Sequence, residues 1–413
     1  MPRRIQPSQI ADVLPRGARV LVQGGAGESA VLADAIEALG LERPDLSFLG
    51  VFIPGVNERT YGAEHGRALT TFFLTGALKR IGDNVQFLPL AYTEILQMLR
   101  AEKIDAAIFT ASLPDERRAC SFGVAVDFLA ELWPQIPVRV AHLNAAMPRT
   151  HGWAGIPYGE LSAVVELDAP LLELREGAAD GVSDAIAERA ASFVENGGVV
   201  QAGIGRLPGA CMRALSRKRD LRIHSGFVSD WAVDLLEAGA LTPGAPITTG
   251  LAIGSTRLYA AAASPQFVFK PVSCTHSASV MAWLSGLVTV NAALEVDLLG
   301  QGYAECRSDG LSSGPGGSTD FARGAKLAGG TRMVVLPAEA KGGAVTRIVA
   351  PGEGRGPVSL SRFDIDVVVT QHGAADLRCC SHDERARRLI MVASPVHREA
   401  LQAAWRRYSE AAR

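Results

Sequence analysis

An α/β fold made of two similar open domains is what this sequence predicts, and three observations carry the prediction. Short apolar runs bounded by Gly or Pro alternate with amphipathic stretches of helical period along the whole chain. A strand–Gly turn–helix–strand pattern occurs twice, near residue 20 and again near residue 199. The length, 413 residues, suits two to three domains with substantial buried cores.

The strand runs come first. Arg19–Val22, Ile104–Thr110, Val138–Leu143, Val199–Val200, Val288–Val290, Met333–Leu336 and Val367–Thr370 read as strands buried on both faces, as parallel layers require. In the first repeat Val20-Leu-Val-Gln-Gly-Gly-Ala-Gly27 leads through a helix-like stretch to Asp45-Leu-Ser-Phe-Leu-Gly-Val-Phe52. In the second, Val199-Val-Gln-Ala-Gly-Ile-Gly205 leads to Asp220-Leu-Arg-Ile-His-Ser-Gly-Phe227, and the two Gln-to-Asp separations differ by three residues. A duplicated α/β domain follows, although any two βαβ units share some of this texture. The polar stretch Leu174–Asp184 reads as the linker, which puts the domains at 1–176 and 177–413. The end of the chain reads as a helix with Ser394 as N-cap and Pro395 at N1.

Composition narrows the function classes. Hydrophobic residues make up 48% and charged residues 20%, with a formal net charge of −2. That balance describes a globular protein without an electrostatic footprint for nucleic acid or an anionic membrane. The Arg clusters Arg385, Arg387, Arg388 and Arg406, Arg407 read as solvated helix faces. The N-terminal residues lack the apolar run of a signal peptide and no 18-residue apolar span occurs, so a cytoplasmic soluble protein is expected. Six scattered cysteines form no C-x-x-C pair, so neither a disulfide framework nor a metal site is expected.

Three blocks go beyond generic texture: Val290-Asn-Ala-Ala-Leu-Glu-Val-Asp-Leu-Leu-Gly-Gln301 followed by Ser313-Gly-Pro-Gly-Gly-Ser-Thr-Asp-Phe-Ala-Arg-Gly-Ala325; Gln201–Pro208 with Ile223-His-Ser-Gly-Phe-Val-Ser-Asp230; and Asn144-Ala-Ala-Met-Pro-Arg-Thr-His-Gly152. Weaker matches are Pro114-Asp-Glu, Cys120-Ser-Phe-Gly-Val-Ala-Val-Asp127 and Val367-Val-Val-Thr-Gln-His-Gly373. Together they resemble the acetyl-CoA hydrolase/transferase family, the class I CoA-transferases typified by 4-hydroxybutyrate and succinyl–acetate CoA-transferases. The resemblance implies two related α/β domains of the CoA-transferase type, an interdomain acyl-CoA cleft, and a homo-oligomer. Coenzyme A would enter as the acyl-CoA substrate and a small carboxylic acid would accept it. It also implies a glutamate that attacks the thioester and carries CoA as a glutamyl thioester, so that exchange needs no ATP.

The sequence departs from that pattern. No Asp or Glu occurs between Glu237 and Glu295, a stretch of 57 residues. The segment that matches Arg-Pro-x-Glu reads Lys270-Pro-Val-Ser273, which puts Ser273 at the expected glutamate. The His-Ser/Thr-Glu block reads His224-Ser-Gly226, and Val-Thr-Glu-Tyr-Gly reads Thr370-Gln371-His372-Gly373. Four readings stay open. Ser273 or Cys274 replaces the nucleophile, with Cys274 and His276 on one side of an extended segment. Alternatively water attacks, with His224, His372 or a carboxylate from elsewhere as base. A distant Glu295 or Glu305 could take over transfer, or the protein could bind CoA esters without turning them over.

By the same resemblance, CoA contacts fall on the turn Gly250-Leu251-Ala252-Ile253-Gly254 and on Gly316 and Gly317, and the charge and backbone N–H groups of Lys341-Gly342-Gly343 suit the CoA phosphates. The substrate cleft takes Gly25, Gln201, Gly203, Gly205, His224, Gly226, Gln371 and His372. Each has a structural reading beside the functional one. Gly24–Gly27 lacks the full dinucleotide fingerprint and reads mainly as a tight strand-to-helix turn. Gly314–Gly317 reads as a turn, and Lys341–Gly343 as an exposed one.

Overall fold

The computed structural model describes every residue except Arg175, Glu176, Ala178, Ala179, Asp309, Ala412 and Arg413. Two compact units emerge. The first comprises Met1–Arg175, Gly226–Asp230 and Pro246–Thr275, the second Glu176–Ser225, Trp231–Ala245 and His276–Arg413.

The first unit is built on an eight-stranded sheet. Its strands in chain order are β1 (Arg3–Arg4), β2 (Arg19–Val22), β3 (Ser47–Gly50), β4 (Ala68–Thr71), β5 (Val85–Phe87), β6 (Ala106–Ala111), β7 (Val138–Leu143) and β8 (Ala163–Glu166). They lie in the order β1-β8-β7-β6-β2-β3-β4-β5, all parallel. Every residue of β6 is buried, as a strand covered on both faces must be. Val20, Val22, Phe48, Leu69, Ile108 and Val140 form the centre of its core. The chain winds outward from β2 to β5, returns to β6 beside β2, and winds outward again. The sheet therefore has a switch point between β2 and β6, where open α/β sheets place their ligands. This unit also holds two short parallel pairs, Phe227–Val228 with Leu251–Ala252 and Ile247–Thr249 with Phe267–Phe269, and an antiparallel pair, Ala119–Cys120 with Ile156–Pro157.

The second unit carries β9 (Val199–Ala202), β10 (Arg222–His224), β11 (Val288–Ala292), β12 (Thr331–Val335), β13 (Val367–Thr370) and β14 (Gly373–Asp376). Their order is β10-β9-β11-β12-β13-β14, parallel except for the last, antiparallel pair. Here the switch point lies between β9 and β11. Leu336, Val368, Leu377, Leu389 and Ile390 anchor one core, and Val199, Met281, Leu287 and Phe321 a second.

Three predicted elements are refined. Part of the Leu174–Asp184 stretch lies outside the described residues, and Gly181–Asp184 within it is the first turn of the helix Gly181–Ala191, capped by Asp180 accepting from Ser183 N at 2.7 Å. Pro395 starts a 3₁₀ turn, Pro395–His397, and the terminal helix begins at Arg398. The segment after Lys270-Pro271 is helical, not extended. Residues Val272–Thr275 form a single turn in which Cys274 and Thr275 donate to the Pro271 carbonyl at 2.9 and 3.0 Å. Among the described residues no helix is long and apolar enough to cross a membrane.

Candidate functional site

At the switch point of the first unit, β2 ends in Gln23-Gly24-Gly25-Ala26-Gly27. The turn is crowded, and the crowding explains its glycines. A Cβ on Gly24 would lie 1.9 Å from the Val51 carbonyl oxygen. Gly25 has φ +57, and its Cβ would press on Leu251 and Ile253 at 2.8 and 3.1 Å. Asn57 locks the turn from below. Its Oδ1 accepts from Gly25 N at 2.9 Å and Ile53 N at 3.0 Å, and its Nδ2 donates to Gly25 O at 3.0 Å and Glu28 Oε2 at 2.6 Å. Tyr61 donates to the same carboxyl group, whose pKa is raised chiefly by burial.

A pocket opens beside this turn. It is lined by Gln23, Gly24, Gly25, Val51, Ile53, Asp127, Phe128 and Leu251, among others. Asp127 is its one ionisable lining residue. Its backbone has φ +26, a conformation L-residues rarely take. Two bonds hold it there: Asp127 N donates to Gly250 O and Val272 N donates to Asp127 O, both at 3.2 Å. Burial, with Glu131 nearby, pushes the carboxyl up to about 8, so it is mostly an acid at neutral pH. Asp127 Oδ1 and Gln23 Oε1 are both buried without a hydrogen-bond partner among the described residues. The Gln23 amide nitrogen donates to Ala125 O.

The acid-free segment lies next to this group. A Cβ on Gly250 would sit 3.2 Å from Lys270 O, 3.4 Å from Gly226 O and 3.5 Å from Asp127 Oδ1. Gly226 O accepts from Gly250 N and Leu251 N at 3.2 and 3.1 Å. Gly25, Gly226, Gly250, Leu251 and Ile253, predicted from distant parts of the chain, thus meet in one place. At the end of this turn Gly254 is pressed on Asp230, which accepts from Ser255 N and Oγ at 2.9 and 2.5 Å, a structural brace. Ser273 is half-buried, and its N–H donates to Glu131 Oε1 at 3.1 Å. Glu131 also pairs with Arg100. Cys274 is half-buried on the same helical turn.

In the second unit His276 is buried and packed against Phe321, ring centroids 4.8 Å apart and planes inclined by 56°. Burial, helped by His224, lowers it to about 3, so it stays neutral throughout the physiological range. Gly317 leaves room for the ring, since its Cβ would lie 2.7 Å from His276 Nε2. The loop after β9 is arranged differently from that after β2. Asn291 Nδ2 donates to Gln201 Oε1 at 3.3 Å, Gly203 faces Asn291 Oδ1, and Gly205 (φ +123) leads directly into the helix Arg206–Arg213. Gln371 Oε1 accepts from Ala338 N at 2.8 Å, which ties it to a neighbouring loop. His372 is exposed, and its pKa is lowered by partial desolvation and by Arg398. Gly316 (φ +60) turns the chain ahead of the helix Ser318–Leu327. Lys341 and Gly342 are exposed in the turn of a hairpin between Glu339–Ala340 and Val345–Thr346.

Sequence reasoning passed over Gln23, Asn57, Glu131 and, as a site residue, Asp127. One signal was present: Asp127 is the lone acid in the apolar run Phe122–Ala130.

This architecture belongs to a class, that of the coenzyme A transferases. RipA from Yersinia pestis superposes with a TM-score of 0.90 at 25% identity, over 98% of each chain. The 4-hydroxybutyrate coenzyme A transferase of Clostridium kluyveri is 33% identical over 76% of this chain and 76% of its own. The succinyl-CoA:cyclohexane-1-carboxylate CoA transferase of Geobacter metallireducens is 34% identical over 78% of this chain and 76% of its own. Residues 254–405 match the model of the acetyl-CoA hydrolase/transferase C-terminal domain. The chain belongs to the acetyl-CoA hydrolase/transferase family, and it is an enzyme of the CoA-transferase or thioester hydrolase kind.

Proposed function

We propose that this protein moves coenzyme A between an acyl-CoA and a small carboxylic acid, by a route that does not store CoA on a glutamate. The likeness to two CoA transferases over more than three-quarters of the chain carries the first half of this reading. The second half rests on Ser273, Gly226 and Gln371 standing where the family pattern has acids, and on the 57-residue stretch without a carboxylate. A serine or glutamine side chain offers no carboxylate to acylate.

Without that glutamate the acceptor's own carboxylate attacks the thioester carbonyl. The mixed anhydride that forms is opened at the acceptor-derived carbonyl by the released CoA thiolate, giving the acceptor's acyl-CoA and the carboxylate of the donor's acyl group. Both partners must then be bound at once, and proximity supplies much of the rate. The kinetics are expected to be sequential, with intersecting double-reciprocal lines, and intact-protein mass spectrometry after incubation with acyl-CoA should show no adduct. Parallel lines with a covalent CoA or acyl adduct on Ser273 or Cys274 would replace this reading with a substitute nucleophile.

Thioester hydrolysis is the second reading, since the family includes hydrolases and water needs no side-chain nucleophile. It is separated by one assay. A hydrolase releases free CoA without an acceptor acid, whereas the transferase forms acceptor-CoA and is silent without one.

A further inference from the structure

We propose that Asp127 is a catalytic residue that acts as a neutral carboxylic acid, donating a hydrogen bond to the thioester carbonyl oxygen of an acyl-CoA whose acyl end enters the pocket beside Gly24 and Gly25. This rests on the acyl-CoA reading above. Three independent observations support it. Asp127 lines the pocket at the switch point of the sheet. Its Oδ1 is buried without a hydrogen-bond partner among the described residues. Its backbone is held at φ +26 by bonds to Gly250 and Val272, a strain that the surrounding structure maintains. A buried carboxyl oxygen without a partner is costly to keep, and an asparagine of the same shape would avoid the cost of ionisation.

The groups around Asp127 favour the acid form. The 128–132 turn presents Glu131, itself paired with Arg100. The helix Tyr92–Ala101 presents the buried Tyr92, which packs against Phe128. Segments 226, 249–251 and 270–272 contribute backbone, and the Lys270 ammonium is turned to Gly152 O. The Gly-rich turn contributes the neutral Gln23 amide, while Glu28 is bonded to Asn57 and Tyr61. No positive charge among these faces Asp127 directly, so nothing on them draws out its proton.

In the step, the acceptor carboxylate oxygen bonds to the thioester carbon while the carbonyl π pair moves onto oxygen. The Asp127 hydroxyl hydrogen-bonds that oxyanion and keeps its proton. The pair then returns as the C–S bond breaks, and CoA leaves as thiolate. A preorganised neutral donor of this kind stabilises charge only as it develops.

The test is kcat/KM against pH for wild type, Asp127→Asn and Asp127→Ala, with an acyl-CoA and an acceptor acid. Wild type should lose activity above pH of about 8 as the acid ionises. Asp127→Asn, which retains an N–H donor, should keep activity within about tenfold at pH 7 and lose that alkaline limb. Asp127→Ala should lose roughly a hundredfold in kcat with KM for acyl-CoA little changed. An unchanged limb in Asp127→Asn, or full kcat in Asp127→Ala, overturns the proposal. A second readout needs no turnover: infrared difference spectra with a non-cleavable methylketone analogue of acetyl-CoA. A downshifted protonated-carboxyl band that Asp127→Asn lacks supports the contact, even if absent turnover defeats the acyl-transfer reading. Saturating binding of the analogue without that band overturns the Asp127 role.

Discussion

Two glycine-rich strand-to-helix turns, Gln23–Gly27 following β2 and Gln201–Gly205 at the end of β9, share their opening residue but diverge in what surrounds them. The first is packed shut. Gly24 abuts a carbonyl, Gly25 is clamped by Asn57, and Gln23 keeps one carbonyl oxygen unsatisfied beside Asp127. The second is open. Ile204 is 38% exposed, Gly205 has little near it, and the Gln201 oxygen accepts from Asn291. The same local motif therefore becomes a pocket wall with unmet polar atoms in one unit and a satisfied turn in the other. The difference comes from partners far away in sequence: Val51, Asn57 and Asp127 on one side, Asn291 on the other.

Substituting the glycines tests this contrast most severely. Gly24→Ala drives a methyl into the Val51 carbonyl, and chemical denaturation should show a loss of about 4 kcal/mol or more. Gly205→Ala meets only the φ +123 strain, with Pro208 Cδ at 4.0 Å as its nearest neighbour, and should cost about 1–2 kcal/mol. Comparable losses for the two would erase the distinction.

The clamps come next. Asn57→Ala removes four hydrogen bonds at once and leaves buried N–H groups unmet, so a loss of about 3 kcal/mol is expected. Asn291→Ala removes one bond of 3.3 Å and should cost about 1 kcal/mol. Urea midpoints of the two variants give the comparison directly.

Smallest per step is the pH response. The folded pKa of Asp127 is raised to about 8 from an unfolded value near 4, so its contribution is fully present below about pH 4 and is lost as pH rises towards 8. Wild type should therefore lose up to roughly 1 kcal/mol per pH unit across that window relative to Asp127→Asn. Parallel stability curves for the two proteins would show that Asp127 ionises freely in the folded state.

Much of the fold was legible because its strands are buried on both faces. Arg19–Val22, Val138–Leu143 and Val367–Thr370 span the residues their apolar runs suggest. β4 and β5, at the edge of the first sheet, carry weaker signals: Ala68–Thr71 has two threonines and Val85–Phe87 a central Gln86, so neither stands out from a loop. Cys274 and His276 share one side only if their segment is extended. The Pro271 carbonyl gathers the following N–H groups into a helical turn instead, which removes the period-two argument for Cys274 beside His276. His276 is buried on Phe321, a fact no spacing could report.

By itself the sequence determined the α/β class, the repeated Gly-rich turns, and the absence of acids between Glu237 and Glu295, because periodicity and composition are local properties. Only the tertiary structure decided which turn closes around a pocket and which carboxyl stands beside the acid-free segment. Asp127 is more than 120 residues from Gly250 in the chain and reaches it because β2, β6 and the segments Gly226–Asp230 and Pro246–Thr275 fold into one unit. Burial without a partner, the property that makes that carboxyl an acid at neutral pH, exists only once those segments have met.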